Sequence, residues 1–340
     1  MSALHACLLC ETIRPAIDDH VLILNSTEDP FAKMAGQQIP RGRLILAEDN
    51  IVALSQYELS REQNQAGRYY HVPFHTYTLH EAPATVDVAA MNILHQPGNA
   101  WINYGLQVAM YALKPGGYLY VTGAKDRGIL SVAKRMQEYF GNVETLAISK
   151  GQRVLRSRKD ETLIDTEAQF VGPLVSPFAD GKLDEGTRIL LETLEVHTTD
   201  VALDMGCGAA YIGMHIARLA TKGQVTMVDA SLAAVDVARH KVEQSGLTNA
   251  QVLASDGAQA VQAQRFDLVV TNPPFHLGGV QTTATAERFI REAAQVLRPR
   301  GRFYLVANRF LKYEPTMRAC FKTVEEVGGD NRYKVLRGLI

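Results

Sequence analysis

The chain repeats one series of sequence patterns twice, and this duplication limits its fold more than any other feature does. Six segments of the first half recur in the second half in the same order. The matched pairs are LLCETI (8–13) with ILLETL (189–194), DHVLIL (19–24) with DVALDM (200–205), RGRLILAED (41–49) with KGQVTMVDA (222–230), VDVAAMN (86–92) with FDLVVTN (266–272), LKPGGYLYV (113–121) with LRPRGRFYL (297–305), and RVLRSRK (153–159) with KVLRGLI (334–340). Any two α/β halves could share one or two such matches, whereas six in one order indicate a tandem duplication.

Each half alternates β-rich segments with helical patterns. In the second half the predicted strands cover 200–204, 224–228, 250–254, 266–271, 301–307 and 332–338, and the predicted helices include 231–245 and 283–297. Such alternation predicts a mainly parallel sheet with helices on both faces. We therefore expect two tandem α/β domains of doubly wound, Rossmann-like architecture, at 1–160 and 177–340, joined by a linker at 161–176.

Charge and hydropathy exclude several classes of protein. The chain has 35 Lys and Arg against 36 Asp and Glu, a formal charge of -1, so it is not a polycation that binds nucleic acid over its whole surface. The start has no basic leader, and residues 88–113, which lack Asp, Glu, Lys and Arg, are interrupted by Asn, Gln and Pro. These features predict a soluble, cytoplasmic protein without a membrane segment.

The four cysteines, at positions 7, 10, 207 and 320, are too few for a disulfide scaffold and indicate a reducing compartment. Cys7 and Cys10 form a C-x-x-C pair, but no second pair completes a zinc site. We expect no metal site. We also expect both residues on a buried helix face, because Cys10 aligns with Leu191 in a helical pattern.

A strand that runs into a glycine turn predicts a ligand site in the second half. In VALDMGCGAAYIG (201–213) the strand ends near Asp204, and the chain turns through Gly206 and Gly208 into a helix. Glycines let the backbone approach a ligand closely, and the start of a helix offers unpaired N–H groups. Position 211 is tyrosine instead of the third glycine of the dinucleotide fingerprint, which disfavours NAD.

Acidic residues follow the next two predicted strands. Asp229 ends the second strand, where its carboxylate can accept both hydroxyls of a ribose; a helix N-terminal acid is the purely structural alternative. Asp256 and Gly257 follow the third strand. Because ligands of open α/β sheets bind at the carboxyl ends of the strands, these residues and the glycine turn predict one nucleotide-type pocket.

The fourth predicted strand ends on the sequence NPPF, from Asn272 to Phe275. An exocyclic amine donates two hydrogens, and the Asn272 side-chain oxygen and a neighbouring backbone carbonyl can accept one each. Pro273 and Pro274 fix the backbone and supply no competing N–H. Phe275 offers a face on which a flat base can stack, worth ~1–3 kcal/mol. The structural alternative is a Pro-Pro turn beside a core phenylalanine, but next to the glycine turn we expect an amine clamp.

The D-x-G-x-G turn, followed by acids after strands two and three, resembles the S-adenosylmethionine-dependent methyltransferases of the Rossmann-like class. NPPF is similar to the [ND]-P-P-[YFW] motif of the members that methylate planar amino nitrogens. The resemblance implies S-adenosyl-L-methionine as cofactor, with Asn272 among the residues that bind it. It also implies the following roles: Gly206 and Gly208 at the methionine end, Asp204 at the amino group, Asp229 at the ribose, Asp256 with Gly257 at the adenine, and Asn272, Pro273, Pro274 and Phe275 at the reacting amine.

Longer segments resemble a narrower family. NPPFH, the Gln-Thr pair at 281–282, VANRFLKY (306–313) and FADGKLDEGTRILL (178–191) are similar to the bacterial ribosomal RNA guanine-N2 methyltransferases of the small-subunit type. That family has two tandem methyltransferase-like domains, so the resemblance covers nearly the whole chain. It implies methylation of a guanine N2 amine in 16S rRNA, within the 30S subunit. The alternatives are 23S rRNA methylation, protein glutamine N-methylation, and a non-catalytic RNA-binding assembly module.

The first half lacks the glycine turn and the NPPF motif. LNSTEDP (24–30) replaces the glycine turn, and NILH (92–95) replaces NPPF, which leaves Asn92 as a strand cap. We expect a degenerate, non-catalytic N-terminal domain that helps the second domain fold or presents RNA to it. Local basic clusters are either solvated surface or phosphate contacts, and they lie at 150–159 and 298–302 and at Arg309, Lys312, Arg318 and Lys322.

Overall fold

The chain forms two compact units, Met1–Val175 and Ser176–Ile340. The computed structural model describes residues 7–57, 68–160, 183–273 and 283–340, together with the backbone of 276–277 and 280–281. The predicted linker at 161–176 lies outside the described residues.

The first unit contains one seven-stranded sheet and six α-helices among its described residues. Its strands are β1 (His20–Leu24), β2 (Arg43–Glu48), β3 (Tyr69–Pro73), β4 (Val86–Asn92), β5 (Leu113–Ala124), β6 (Glu144–Ser149) and β7 (Gln152–Arg158). Its helices are α1 (Leu8–Thr12), α2 (Pro30–Gln38), α3 (Ile51–Gln56), α4 (Tyr77–His80), α5 (Asn99–Ala112) and α6 (Ile129–Phe140). The strand order is β3-β2-β1-β4-β5-β7-β6.

The second unit repeats this architecture. Its main strands are β8 (Val201–Met205), β9 (Gln224–Asp229), β10 (Ala250–Ala254), β11 (Phe266–Thr271), β14 (Leu297–Asn308), β15 (Thr323–Gly329) and β16 (Tyr333–Leu339), with a separate short pair β12 (His276–Leu277) and β13 (Val280–Gln281). Its helices are α7 (Glu185–Thr193), α8 (Tyr211–Leu219), α9 (Leu232–Ser245), α10 (Ala284–Val296) and α11 (Glu314–Cys320). The main sheet has the order β10-β9-β8-β11-β14-β16-β15.

Both sheets therefore have one topology, and the predicted doubly wound α/β fold is confirmed. The first five strands of each sheet pair in parallel, and the last two are antiparallel. Five of the six predicted strands begin and end within one residue of the observed ones, while β14 begins four residues before its predicted start at 301. The antiparallel edge strand β15 was not predicted, because its sequence TVEEVGG is mostly solvated and lacks a buried apolar run.

The two copies also share side-chain contacts that fix the central strands. Asp87 Oδ2 accepts the His20 N–H that opens β1 (2.9 Å), and Lys114 pairs with the same carboxylate (2.7 Å). In the second unit Asp267 accepts the backbone N–H at the start of β8 (3.0 Å) and pairs with Arg298 (2.7 Å). One carboxylate per unit thus ties the starts of three strands together.

Apolar side chains pack on both faces of the second sheet. On one face Leu190, Ile216 and Val235, from α7, α8 and α9, pack against the sheet. On the other face Ile290 and Met317, from α10 and α11, do the same. Burial of the central strands on two sides explains their nearly uninterrupted apolar sequences. Among the described helices, none is both long and apolar enough to span a membrane.

The C-x-x-C pair differs from the sequence expectation. Cys7 and Cys10 form a disulfide, and Cys7 is the residue that caps α1 rather than part of its buried face. Both residues are only half-buried, and Asp29 lies near them, but as a disulfide the two sulfurs are not thiolate ligands for a metal ion. The number of cysteines describes the whole chain, so it could not exclude this local bridge between residues three positions apart.

In the first unit two backbone segments approach each other so closely that a single substitution can test how tightly the unit is packed. A Cβ on Gly42 would lie 1.9 Å from the Asp19 carbonyl oxygen, and Gly223 faces Asp200 in the same way. We expect Gly42→Ala to lower the free energy of unfolding of the first unit by about 1–3 kcal/mol, because the turn must open. Urea unfolding followed by fluorescence of Trp101 measures this, since it is the one tryptophan of the chain and lies buried in that unit.

Gly98→Ala is the matched control for this substitution. A Cβ on Gly98 would meet no atom within 4 Å, and its φ of 176° is open to any residue. Its midpoint should equal that of the wild type or slightly exceed it. Equal urea midpoints for Gly42→Ala and Gly98→Ala would show that the turn accommodates the added methyl group without loss of stability.

Candidate active site

The candidate site lies at the carboxyl edge of the second sheet, between β8 and β11. These two strands pair in parallel, and the Thr271 hydroxyl donates to the Met205 carbonyl at 2.7 Å, which ties their ends together. The chain leaves β8 toward β9 on one side, whereas β11 lies on the other, so a crevice opens at this switch point. The residues that follow the two strands face each other across it.

The turn after β8 has a backbone that favours glycine. Gly206 and Gly208 have φ angles of 71° and 50°, in the left-handed region, and Ala210 also lies there at 67°. The Gly206 and Cys207 N–H groups donate to the Val228 carbonyl at 2.8 and 3.0 Å. A Cβ on Gly208 would meet no atom within 4 Å, so among the described residues nothing covers this side of the turn.

Asp204 is a fully buried carboxylate at the end of β8. Its Oδ2 accepts the Gly213 N–H at 2.8 Å, while its Oδ1 has no hydrogen-bond partner among the described residues. Burial raises the pKa of Asp204 to about 7; the Gly213 N–H opposes this shift, and the charge of Asp229 adds to it. An unpaired acceptor in such a place suits a ligand that brings an ammonium or another strong donor.

Asp229 joins the glycine turn to the next helix. Its Oδ2 accepts the Gly208 N–H and its Oδ1 accepts the Ser231 N–H, both at 2.9 Å. Burial raises the pKa of Asp229 despite these bonds. The carboxylate also lies beside Ser231, the cap of α9, so the structural role of a helix N-terminal acid coexists with free lone pairs for ligand hydroxyls.

Asp256 and Gly257 lie after β10 in a network that the sequence did not reveal. Arg288 forms ion pairs with Asp256 and with Glu292, the latter at 2.9 Å. Glu292 also accepts the Ala258 N–H at 2.8 Å, and a Cβ on Gly257 would lie 2.1 Å from its Oε2. Gly257 therefore has a structural reason to be glycine, whatever ligand lies nearby.

Asn272 follows β11, and its carboxamide points toward the start of α7. Its Nδ2 donates to the Thr187 hydroxyl at 2.9 Å and lies 3.3 and 3.4 Å from the two carboxylate oxygens of Asp184. Sequence reasoning missed both partners. Pro273 is buried, whereas Pro274 and Phe275 lie outside the described residues.

The same crevice in the first unit is filled by a side chain. Gln96, which is 6% exposed, donates from Nε2 to the Leu24 and Asn25 carbonyls at 3.2 and 2.8 Å. Glu48 stands where β9 has Asp229 and keeps the equivalent contact, because it accepts the Thr27 N–H at 3.0 Å. Gln96 thus occupies the space between these strand ends in the first unit.

Two members of the predicted basic clusters are buried inside the units, while most of the others are exposed or half-exposed. Arg302 is buried and pairs with Asp200 at 2.5 Å, and Lys159 is also buried. Arg309 pairs with Glu326 at 2.8 Å. The expectation of a free basic surface at 298–302 is therefore wrong for Arg302, because this residue faces the interior of the second unit.

The chemistry of this edge fits a sulfonium-bearing nucleoside. The glycine turn is open beside Gly208, Asp204 keeps one buried oxygen unpaired, and Asp229 presents a carboxylate at the next strand end. An amino-acid ammonium and ribose hydroxyls are the donors that such acceptors require.

The buried Asp204 makes stability depend on pH. An acid with a folded pKa of about 7 and an unfolded pKa of about 3.9 binds more protons in the folded state, so stability falls as pH rises from about 4 to about 7. Asp204→Asn removes this titration. We expect the variant to have a higher Tm than the wild type at pH 8, and the difference to shrink toward pH 5.

Calorimetric melts across this pH range, without ligand, measure the effect. The control is Asp236→Asn, since Asp236 is 54% exposed on the same unit. Parallel Tm curves for Asp204→Asn and the wild type would contradict the raised pKa.

Comparison with known proteins places the chain in a family. The sequence profile of the methyltransferase small domain matches residues 171–337. The ribosomal RNA small subunit methyltransferase C of Shewanella loihica is 32% identical over 271 residues, covering 75% of this chain and 78% of its own length. The protein of that name from Hahella chejuensis is 34% identical over 248 residues, covering 68% and 71%.

A solved structure agrees with these relatives along nearly the whole chain. The 16S rRNA N2 G1207 methyltransferase of T. thermophilus, in complex with AdoMet and guanosine, superposes with a TM-score of 0.77 at 27% identity, over 98% of this chain and 90% of that one. The degree of identity to the Shewanella protein and the shared length decide the assignment: this chain belongs to the ribosomal RNA small subunit methyltransferase C family.

Proposed function

We propose that the protein transfers a methyl group from S-adenosyl-L-methionine to the exocyclic N2 amine of a guanine in 16S rRNA. The observation that carries this proposal is the Asn272 carboxamide at the end of β11, beside the glycine turn of β8, with its amide nitrogen bound to α7. Membership of the family and the likeness to a structure solved with AdoMet and guanosine support it.

Different residues of the crevice bind different parts of the cofactor. Bound S-adenosyl-L-methionine supplies an electrophilic methyl group on a sulfonium. Asp204 accepts from the amino group of the methionine part, and Gly206 and Gly208 let the backbone approach that part closely. Asp229 accepts from the ribose hydroxyls, and Asp256, with Gly257, lies on the adenine side.

The substrate amine is held by acceptors. Asn272 Oδ1 accepts one hydrogen of the guanine amine, and the Pro273 carbonyl accepts the other. Held in this way, the nitrogen directs its lone pair at the methyl group; the new N–C bond forms as the S–C bond breaks, and the extra proton passes to water. Orientation supplies most of the rate enhancement, because the leaving group needs no protonation. The proline at position 274 restricts its own backbone φ, and the aromatic ring of Phe275 is proposed as the stacking face for the base.

The RNA must open to reach this site. A base inside a helix cannot present its amine to a crevice at a sheet edge, so the target guanine leaves its stack. We propose the 30S subunit as the substrate.

The first unit has no catalytic role, because Gln96 fills its crevice; it assists folding or presents RNA. We assign this unit to residues 1–160, the linker to 161–176 and the catalytic domain to 177–340.

Isolated 30S subunits that lack the modification, incubated with labelled S-adenosyl-L-methionine, test the proposal directly. Label should appear at N2 of a guanine in 16S rRNA, with less or none in 50S subunits or glutamine-containing ribosomal proteins. Free 16S rRNA in a parallel reaction separates the assembled substrate from the naked one. No label in any of these substrates would overturn the function.

Asn272→Ala is expected to lower kcat by at least about 100-fold, since the amine loses one of its two acceptors and with it the alignment of the nitrogen. The Kd of S-adenosyl-L-methionine, measured by calorimetry, should stay within about threefold of the wild-type value. The matched control is Asn92→Ala, which removes the aligned asparagine of the first unit and should leave kcat unchanged. Turnover near the wild-type rate by Asn272→Ala would refute the amine clamp.

A further inference from the structure

The Asn272 carboxamide can lie in two orientations of nearly equal shape, and only one presents an acceptor to the substrate. In the structure its Nδ2 faces the Asp184 carboxylate and the Thr187 hydroxyl. An ionised carboxylate only accepts hydrogen bonds, so the side facing Asp184 must be the NH2 group. Oδ1 is therefore on the opposite side, away from α7.

Asp184 is itself held by the first turn of α7. As the helix cap it accepts the Thr187 N–H at 3.0 Å, and its second oxygen accepts the Thr187 hydroxyl. Thr187 is 5% exposed, whereas Asp184 lies at the surface, so Thr187 provides the buried part of this contact. The first turn of α7 thus holds Asp184 and Thr187 in place, and these two acceptors set the orientation of the Asn272 carboxamide.

The first unit shows what happens when such an asparagine is fully satisfied. Asn92 donates from Nδ2 to Asp29 at 2.7 Å, and its Oδ1 accepts the Leu94 N–H at 3.0 Å. Position 274, two residues after Asn272, holds a proline, which has no N–H to donate. Among the described residues no donor takes Asn272 Oδ1, so this oxygen keeps its capacity to accept.

We propose that Asp184 and Thr187 are positioning residues for methyl transfer: they hold the Asn272 carboxamide with its oxygen toward the substrate amine. This inference rests on the proposed function. Without them the carboxamide would sample the flipped orientation, in which its NH2 group faces the NH2 group of guanine and repels it.

Asp184→Asn is the central test. The new residue keeps the shape and, as a cap, is as favourable as aspartate, so α7 should stay intact. Its own NH2 group, however, competes with that of Asn272 and favours the flipped carboxamide. We expect kcat to fall on the order of 10- to 100-fold, the loss of one hydrogen bond in the transition state, while KM for RNA and Tm stay near wild-type values.

Two further variants separate orientation from charge. Thr187→Val removes one acceptor without changing charge, and Thr187→Ser keeps the hydroxyl; kcat should fall in the first and recover in the second.

An exchange of residues 184 and 272 provides a rescue. Asn272→Asp alone places two carboxylates together, whereas Asp184→Asn with Asn272→Asp restores a donor facing a carboxylate. The double variant should exceed each single variant at least about fivefold in kcat.

A spectroscopic readout needs neither cofactor nor RNA. Selective ¹⁵N-asparagine labelling, with Asn272→Ala for assignment, reports the carboxamide protons of Asn272 in the free protein. In the wild type these protons should exchange slowly with water because they are hydrogen-bonded. In Thr187→Val they should exchange faster.

The outcomes distinguish the two proposals. If the wild type methylates 30S subunits and Asp184→Asn has kcat within twofold of it, the positioning role is wrong while the function stands. If the wild type methylates nothing but the amide protons respond to Thr187→Val, the function fails and only the hydrogen-bond network remains. If Asp184→Asn lowers Tm as well as kcat, Asp184 has a folding role instead of a positioning role.

Discussion

The parallel pairing of β8 with β11 is the constraint on which the active site depends. It brings the residues after two strands that lie more than 60 positions apart in sequence into contact, and the Thr271 hydroxyl closes the pair on the Met205 carbonyl. Because parallel strands end at the same edge, the glycine turn and the carboxamide must face each other. In the first unit the equivalent strands β1 and β4 are joined by a different contact, in which Ser26 Oγ accepts the Asn92 N–H at 2.9 Å.

The two units show what one scaffold requires with and without a ligand. A buried carboxylate with an unpaired oxygen is destabilising, so Asp204 lowers the stability of the empty domain at neutral pH. The first unit has Ile23 at the aligned position and uses Gln96 to satisfy the strand-end carbonyls. The first unit therefore lacks the destabilising group, and the Gln96 side chain fills the space at its strand ends. In the proposed function, the ammonium of the cofactor would be the partner of the unpaired Asp204 oxygen.

Much of this arrangement follows from sequence, because buried parallel strands are apolar runs that end on polar residues. The ends of β8, β9 and β11 were accordingly predicted to within one residue, and with them the positions of Asp204, Asp229 and Asn272. The partners of those residues were not predicted. Arg288 reaches Asp256 from 32 residues away and Asp184 reaches Asn272 from 88 away, and such contacts depend on how helices pack over the sheet.

A carboxamide illustrates why the motif alone does not specify the chemistry. Its two ends have nearly one shape, so packing cannot choose between them, and only the donors and acceptors around it can. In the first unit a backbone N–H and an acid consume both ends of Asn92. In the second unit an acid and a hydroxyl take one end, and a proline withholds the donor that would take the other. In the proposed amine clamp, acceptance of the substrate amine is thus a property of α7 and β11 together.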